Sequence, residues 1–301
     1  MKKFKVIFPY STTKQIPEDI GEKLEEHAFE LLKDGQHNSS GFMYLDDFDR
    51  VIHSDGRHLF HYCEQSRKAD ARTVRHIHAE QLRKVEESGR EVTEELHEEL
   101  KAVAEREAVK FASIKQQDVF ILFDGPAQRV WCAGSTTKKC ETALKRLRRV
   151  LGSLDTEPVV LPVASLQLSR QLSRGGLRLG HTLRVNEYAK VVATDKYDEN
   201  AARVIFDGIS LAGDDVREVL TSLAISAIDM ELTLPGKSDT LAAFVLKAPC
   251  NAGMSLSGMH FFGGASDAAE EHNHASDMLI AAKTCHQILS GLNDFLRSEV
   301  K

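Results

Sequence analysis

No apolar run in this sequence approaches the roughly 20 residues that a membrane-spanning helix needs, so no membrane partner is expected. The five cysteines, Cys63, Cys132, Cys140, Cys250 and Cys285, are odd in number and widely spaced, with no CxxC pair. That leaves zinc-ribbon and thioredoxin-type motifs unsupported and makes reduced, mostly buried thiols in a cytoplasmic protein the expectation. A GxxxxGK[ST] loop is also missing, so ATP hydrolysis has no support, and no pattern calls for a cofactor. Heptads, tandem repeats and low-complexity linkers are absent. Positive charge is not in excess: 39 Lys and Arg stand against 45 Asp and Glu, a net charge of −6. A surface for nucleic acid must therefore be local.

What is present is an ordinary globular composition, with 42% hydrophobic and 28% charged residues over 301 positions. This excludes the disordered, collagen-like and disulfide-scaffold classes and allows one or two domains with a substantial core. The apolar start around Val6-Ile7-Phe8 is broken at Pro9, too early for a signal peptide, and reads as a first strand. Pro17-Glu18-Asp19 opens a helix expected to run to about Lys33. Short strand-like runs follow at Phe42 to Leu45, Val51 to His53 and Leu59 to Cys63, with Ser54-Asp55-Gly56-Arg57 as a hairpin turn.

From Lys68 to Ala112 the spacing becomes helical, with Val74, Ile77, Leu82 and Val85 forming a stripe. Ser88-Gly89 interrupts it, and Thr93 is placed to cap a second arm. The first arm of this helical hairpin is basic and the second is rich in glutamate. A ββα unit comes next: Val119 to Phe123, a turn at Asp124-Gly125-Pro126, Arg129 to Ala133, and a helix from Thr136 or Thr137 to Leu151 stopped by Gly152. The stretch from Pro158 to Lys190 reads as strand-like and basic, and a strand at Ala201 to Phe206 precedes a helix reaching Leu223. Asp229 to Leu234 and Thr240 to Leu246 read as a hairpin, Gly253 to Gly264 as a looser segment, and Ala275 to Leu296 as a closing helix. This irregular alternation predicts an α+β fold, with mixed or antiparallel sheets and a protruding helical hairpin. The expected regions are 1–66, 67–112, 113–165 and 166–301, or one continuous multi-lobed domain.

The helix from Thr136 to Leu151 carries the clearest candidate chemistry. On a helical wheel Cys140, Ala143, Leu144, Leu147, Val150 and Leu151 share one face, with Lys138, Lys145 and Arg149 opposite. Residues 138–149 hold six basic side chains and one acid, Glu141. Such a stripe suits a phosphate backbone, because each contact releases counterions, although a solvated helix face gives the same spacing. Arg170, Arg174, Arg178, Arg184 and Lys190 make a second basic zone. The histidines His53, His58, His61, His76, His78, His272 and His274 do not reach the three-ligand geometry of a catalytic metal. The acids Asp46, Asp47, Asp49, Asp118, Asp124, Asp214 and Asp215 make no recognisable nuclease cluster, and capping or turn roles suit them.

The run from Thr93 to Leu154 resembles the RdgC family of bacterial recombination-associated proteins. The likeness rests on the charged helix arm, Leu122-Phe123-Asp124, Val130-Trp131-Cys132-Ala133, Ser135 to Leu144, and Leu147-Arg148-Arg149-Val150-Leu151-Gly152-Ser153-Leu154. Weaker likenesses lie at Arg203 to Ala224 and around Gly291-Leu292. The resemblance implies a nucleoid-associated, ring-shaped homodimer that surrounds double-stranded DNA without sequence preference and limits RecA-type recombinase activity. Carried onto this sequence, it places Lys138, Lys139, Lys145, Arg146 and Arg149 on the DNA. It also brings a label of exonuclease without a defined catalytic motif, which leaves a metal-dependent exonuclease as the alternative. A third possibility is an interaction module that offers the acidic arm, Glu94 to Glu107, to a recombinase.

Overall fold

The alternation of apolar residues along the first strand sets the plan of the molecule. In the computed structural model, which describes residues 3–174, 179, 182–195, 203–234, 239–249, 252–262 and 274–298, β1 (Val6–Ser11) lies at the centre of one large antiparallel sheet. On one side it pairs with β6 (Arg129–Ala133), followed outward by β5 (Ile114–Asp124), β4 (Arg57–Arg67) and β2 (Asn38–Met43). On the other side come β13 (Ser255–Phe261), β12 (Thr240–Lys247), β11 (Leu223–Thr233), β9 (Val191–Asp195) and β10 (Val204–Phe206). The short strands β3 (Val51–Ser54), β7 (Glu157–Pro158) and β8 (Leu183–Arg184) pair with β4, β1 and β11. The α+β reading holds.

Because successive strand residues point to opposite faces, the central strands feed two cores. Ile121, Phe123, Val130 and Cys132 join one core with Tyr10, Phe42 and Phe60. That core is covered by α1 (Ile20–Glu25) and α4 (Thr137–Leu151). Leu122, Trp131, Ala133 and Ile7 point the other way, into a larger core with Ile225, Ile228, Phe244 and Leu256. This second face is closed by α5 (Ala164–Ser173), α6 (Asp214–Ser222) and α7 (His274–Ser298). Between β4 and β5 the chain leaves the sheet as α2 (Ala71–Glu87) and α3 (Glu94–Phe111), packed on each other. Thr93 caps α3 by accepting from Leu96 N–H, and α2 has no fully buried residue.

Three local expectations are corrected. The first helix stops at Glu25 rather than continuing to Lys33, because the chain beyond it pairs with β2 through Phe29 N to Phe42 O at 3.0 Å and Phe42 N to His27 O at 2.9 Å. Gly41 admits this approach: a Cβ there would stand 2.5 Å from Ala28 O. Within the Pro158 to Lys190 stretch, residues Ala164–Ser173 form a helix rather than a strand, since Ala164, Leu168 and Leu172 make a buried stripe at four-residue spacing. Ser169 Oγ in that helix accepts from Ile225 N–H at 2.7 Å and so ties α5 to β11. The segment expected to be loose at Gly253 to Gly264 contains β13, whose ladders to β1 and β12 satisfy its backbone. The turn at residues 235–238 and the histidine at 272 lie outside the described residues.

Candidate nucleic-acid interface

Helix α4 begins where Thr136, in an extended conformation, accepts from Lys139 N–H, and ends at Gly152, whose φ is 74°. Hydroxyl caps and a left-handed glycine are the ordinary boundaries of a helix. Cys140, Ala143, Leu144, Leu147 and Val150 are all buried against the sheet. The chain enters the helix through Gly134, where a Cβ would lie 2.8 Å from Cys140 Sγ. Burial pushes the Cys132 thiol well above its ordinary range, and Cys140 beside it acts in the same direction. Cys132 therefore packs as a small apolar group rather than as a nucleophile.

With its apolar face committed, α4 turns its basic residues outward. Lys138, Lys145 and Arg149 are exposed. Among the described residues none of the three makes a side-chain hydrogen bond or ion pair. The other basic residues are tethered. Lys139 Nζ donates to Ser135 Oγ at 2.8 Å, Arg146 Nη2 to Ser40 Oγ at 3.2 Å, and Arg148 Nε to Leu154 O at 2.8 Å. The first turn of α4 holds no acid. Lysines there oppose the helix dipole at about 0.3–1 kcal/mol each, so helix stability does not account for them, while the arrangement concentrates positive potential at that end.

Lys14 is an addition that the sequence did not signal. Its Nζ donates to Ser153 Oγ at 3.0 Å, which places a seventh basic side chain at the C-terminal end of α4. No periodic pattern could have found it, because it arrives from the loop after β1.

The remaining expected residues do not join this patch. Arg170 and Arg174 are exposed on or just beyond α5, whose buried side packs into the core on the opposite face of the sheet from α4. In β8, Leu183 points into that same core, so its neighbour Arg184 emerges on the α4 face, paired in register with Glu231. Strands β11, β12 and β13 separate it from β1, about 15–20 Å at ordinary strand spacing. Arg178 lies outside the described residues. Lys190 is bound to Asp207 at 2.6 Å. Among the described residues, α4 thus carries a compact free patch, and the other expected basic residues stand apart from it.

Among the described residues no helix is long and apolar enough to cross a membrane, and no group of three or more His, Cys, Asp or Glu side chains is arranged to hold a metal ion. Compared with known families, residues 3–233 match the model described as "Putative exonuclease, RdgC". No curated protein matches the chain.

Proposed function

The chain belongs to the RdgC family, and from that membership together with the free face of α4 we propose that it binds double-stranded DNA without sequence preference. The observation that carries this reading is the set Lys138, Lys145 and Arg149, exposed and unpaired among the described residues on a helix whose other face is buried. Contacts of this kind neutralise phosphates and displace counterions, giving affinity without a base code. A homodimer surrounding the duplex would reconcile a local basic lining with a net charge of −6. Nucleoid association in the cytoplasm and restraint of a RecA-type recombinase during recombination and replication complete the proposal.

The test is fluorescence anisotropy of a labelled linear duplex across a salt series, in Mg²⁺ and in EDTA. Salt-steep binding that is indifferent to EDTA and leaves the DNA intact supports the reading, and absence of binding at low salt overturns it. The family description favours a second reading, a metal-dependent exonuclease. Shortening of linear DNA that requires Mg²⁺ and is lost in Asp124→Asn would favour it.

A further inference from the structure

On the face of the sheet opposite α4, two tight turns and the closing helix surround a cleft of about 420 Å³. One wall is the β3–β4 turn, where Asp55 and Gly56 both take positive φ, stitched to the β5–β6 turn by Gly125 N to Gly56 O at 3.3 Å. A Cβ on Gly125 would stand 2.7 Å from that same oxygen, so only glycine lets the turns meet. The other wall is α7, which presents Leu279, Lys283 and His286 at helical spacing. Pro126, Ala127 and Leu279 supply an apolar side.

At the base lies Asp124, 1% exposed. Arg57 Nε stands 3.1 Å from its Oδ1, yet the N–H is not aligned on the oxygen and, among the described residues, neither carboxylate oxygen has a hydrogen bond. The carboxylate is nonetheless electrostatically felt across the core, since it adds to burial in pushing the Cys285 thiol upward. A buried charge without aligned donors is costly, and the ion pair with the Arg57 guanidinium is the contact that offsets it. The Arg57 side chain makes one hydrogen bond among the described residues, from Nη1 to Asp55 O at 3.4 Å. The side chains of Lys283 and His286 make none among the described residues, and both residues are exposed.

We propose that this cleft is a phosphomonoester subsite, in which Arg57, held by Asp124, and Lys283 and His286 bind the phosphate of a DNA end or of a free mononucleotide. A guanidinium fixed by a buried counter-ion offers its fork to an oxyanion at little entropic cost, and Lys283 adds a second cation on a separate element. The volume suits a mononucleotide, with the apolar wall against sugar or base. This inference stands independently of the α4 face.

The experiment is calorimetric titration of the full chain with inorganic phosphate, deoxyadenosine 5′-monophosphate and deoxyadenosine. It is followed by competition between duplexes with 5′-phosphate and 5′-hydroxyl ends. The monophosphate binds and the nucleoside does not; Lys283→Ala and His286→Ala, both surface changes, each weaken monophosphate binding, Lys283→Ala by about tenfold. A preference for the 5′-phosphorylated over the 5′-hydroxyl duplex assigns the subsite to DNA ends, and equal affinity for the two duplexes assigns it to free nucleotide. Absence of phosphomonoester binding, or binding unchanged in both variants, overturns the proposal. Lys145→Ala/Arg149→Ala leaves monophosphate binding intact, which keeps failure here distinct from failure of the duplex-binding reading.

Discussion

Arg146 of α4 donates to Oγ of Ser40 on β2 at 3.2 Å, so this basic side chain ties helix to sheet while its neighbour Lys145 remains free. The side chains of one basic run are thereby divided between tethered and free, and the consequence can be measured.

Lys145→Ala/Arg149→Ala is expected to lower the salt slope of duplex binding by about 0.9 for each phosphate left without its cation. Thermal stability should stay within about 0.5 kcal/mol, as for ordinary surface changes. Arg146→Ala is expected to do the reverse, with a smaller change in slope and a measurable loss of stability. An unchanged slope in the double variant would remove α4 from the interface.

The seating of α4 depends on Leu147, which is 0% exposed in the core beneath it. Leu147→Ala is expected to cost about 2–5 kcal/mol in urea unfolding, through the forfeited transfer energy and the cavity left behind. Duplex binding should fall only where the helix itself has melted.

Asp124 and Arg57 supply a third expectation. Arg57→Ala strands a carboxylate that is 1% exposed and should destabilise the protein by about 3 kcal/mol. Arg57→Met with Asp124→Leu should recover most of that loss, because the pair is then replaced by apolar packing. A double variant no more stable than Arg57→Ala alone would show that the loss does not come from the stranded charge.

The hairpin β3–β4 predicts a pH dependence. Burial, with His53 beside it at 3.0 Å, holds His58 down to about 4 from its ordinary 6.5. A depressed histidine favours the neutral form in the fold, so its contribution is fully present above about pH 6.5 and is lost as pH falls toward about 4. Urea unfolding from pH 7 to pH 4 should show a smaller decline in His58→Phe than in the parent protein. Equal declines would mean that His58 is not held neutral by the fold.

The sequence alone determined the elements whose signals are local. Thr136, Gly152 and the helical rhythm of Cys140, Leu144 and Leu147 specify α4 and its basic face, because helical hydrogen bonds join near neighbours in the chain. The same holds for the α2–α3 hairpin and its Thr93 cap. Tertiary structure decided everything that depends on strand order. It ended α1 at Glu25 by pairing His27 and Phe29 with β2, turned the Arg170 region into a helix seated on β11, and placed that helix on the face opposite α4. It also brought Lys14 to Ser153 and gathered Arg57, Asp124, Lys283 and His286 around one cleft. Sheet pairing joins residues far apart in sequence with no periodic mark at either partner, so those pairings become visible only when the ladder is assembled.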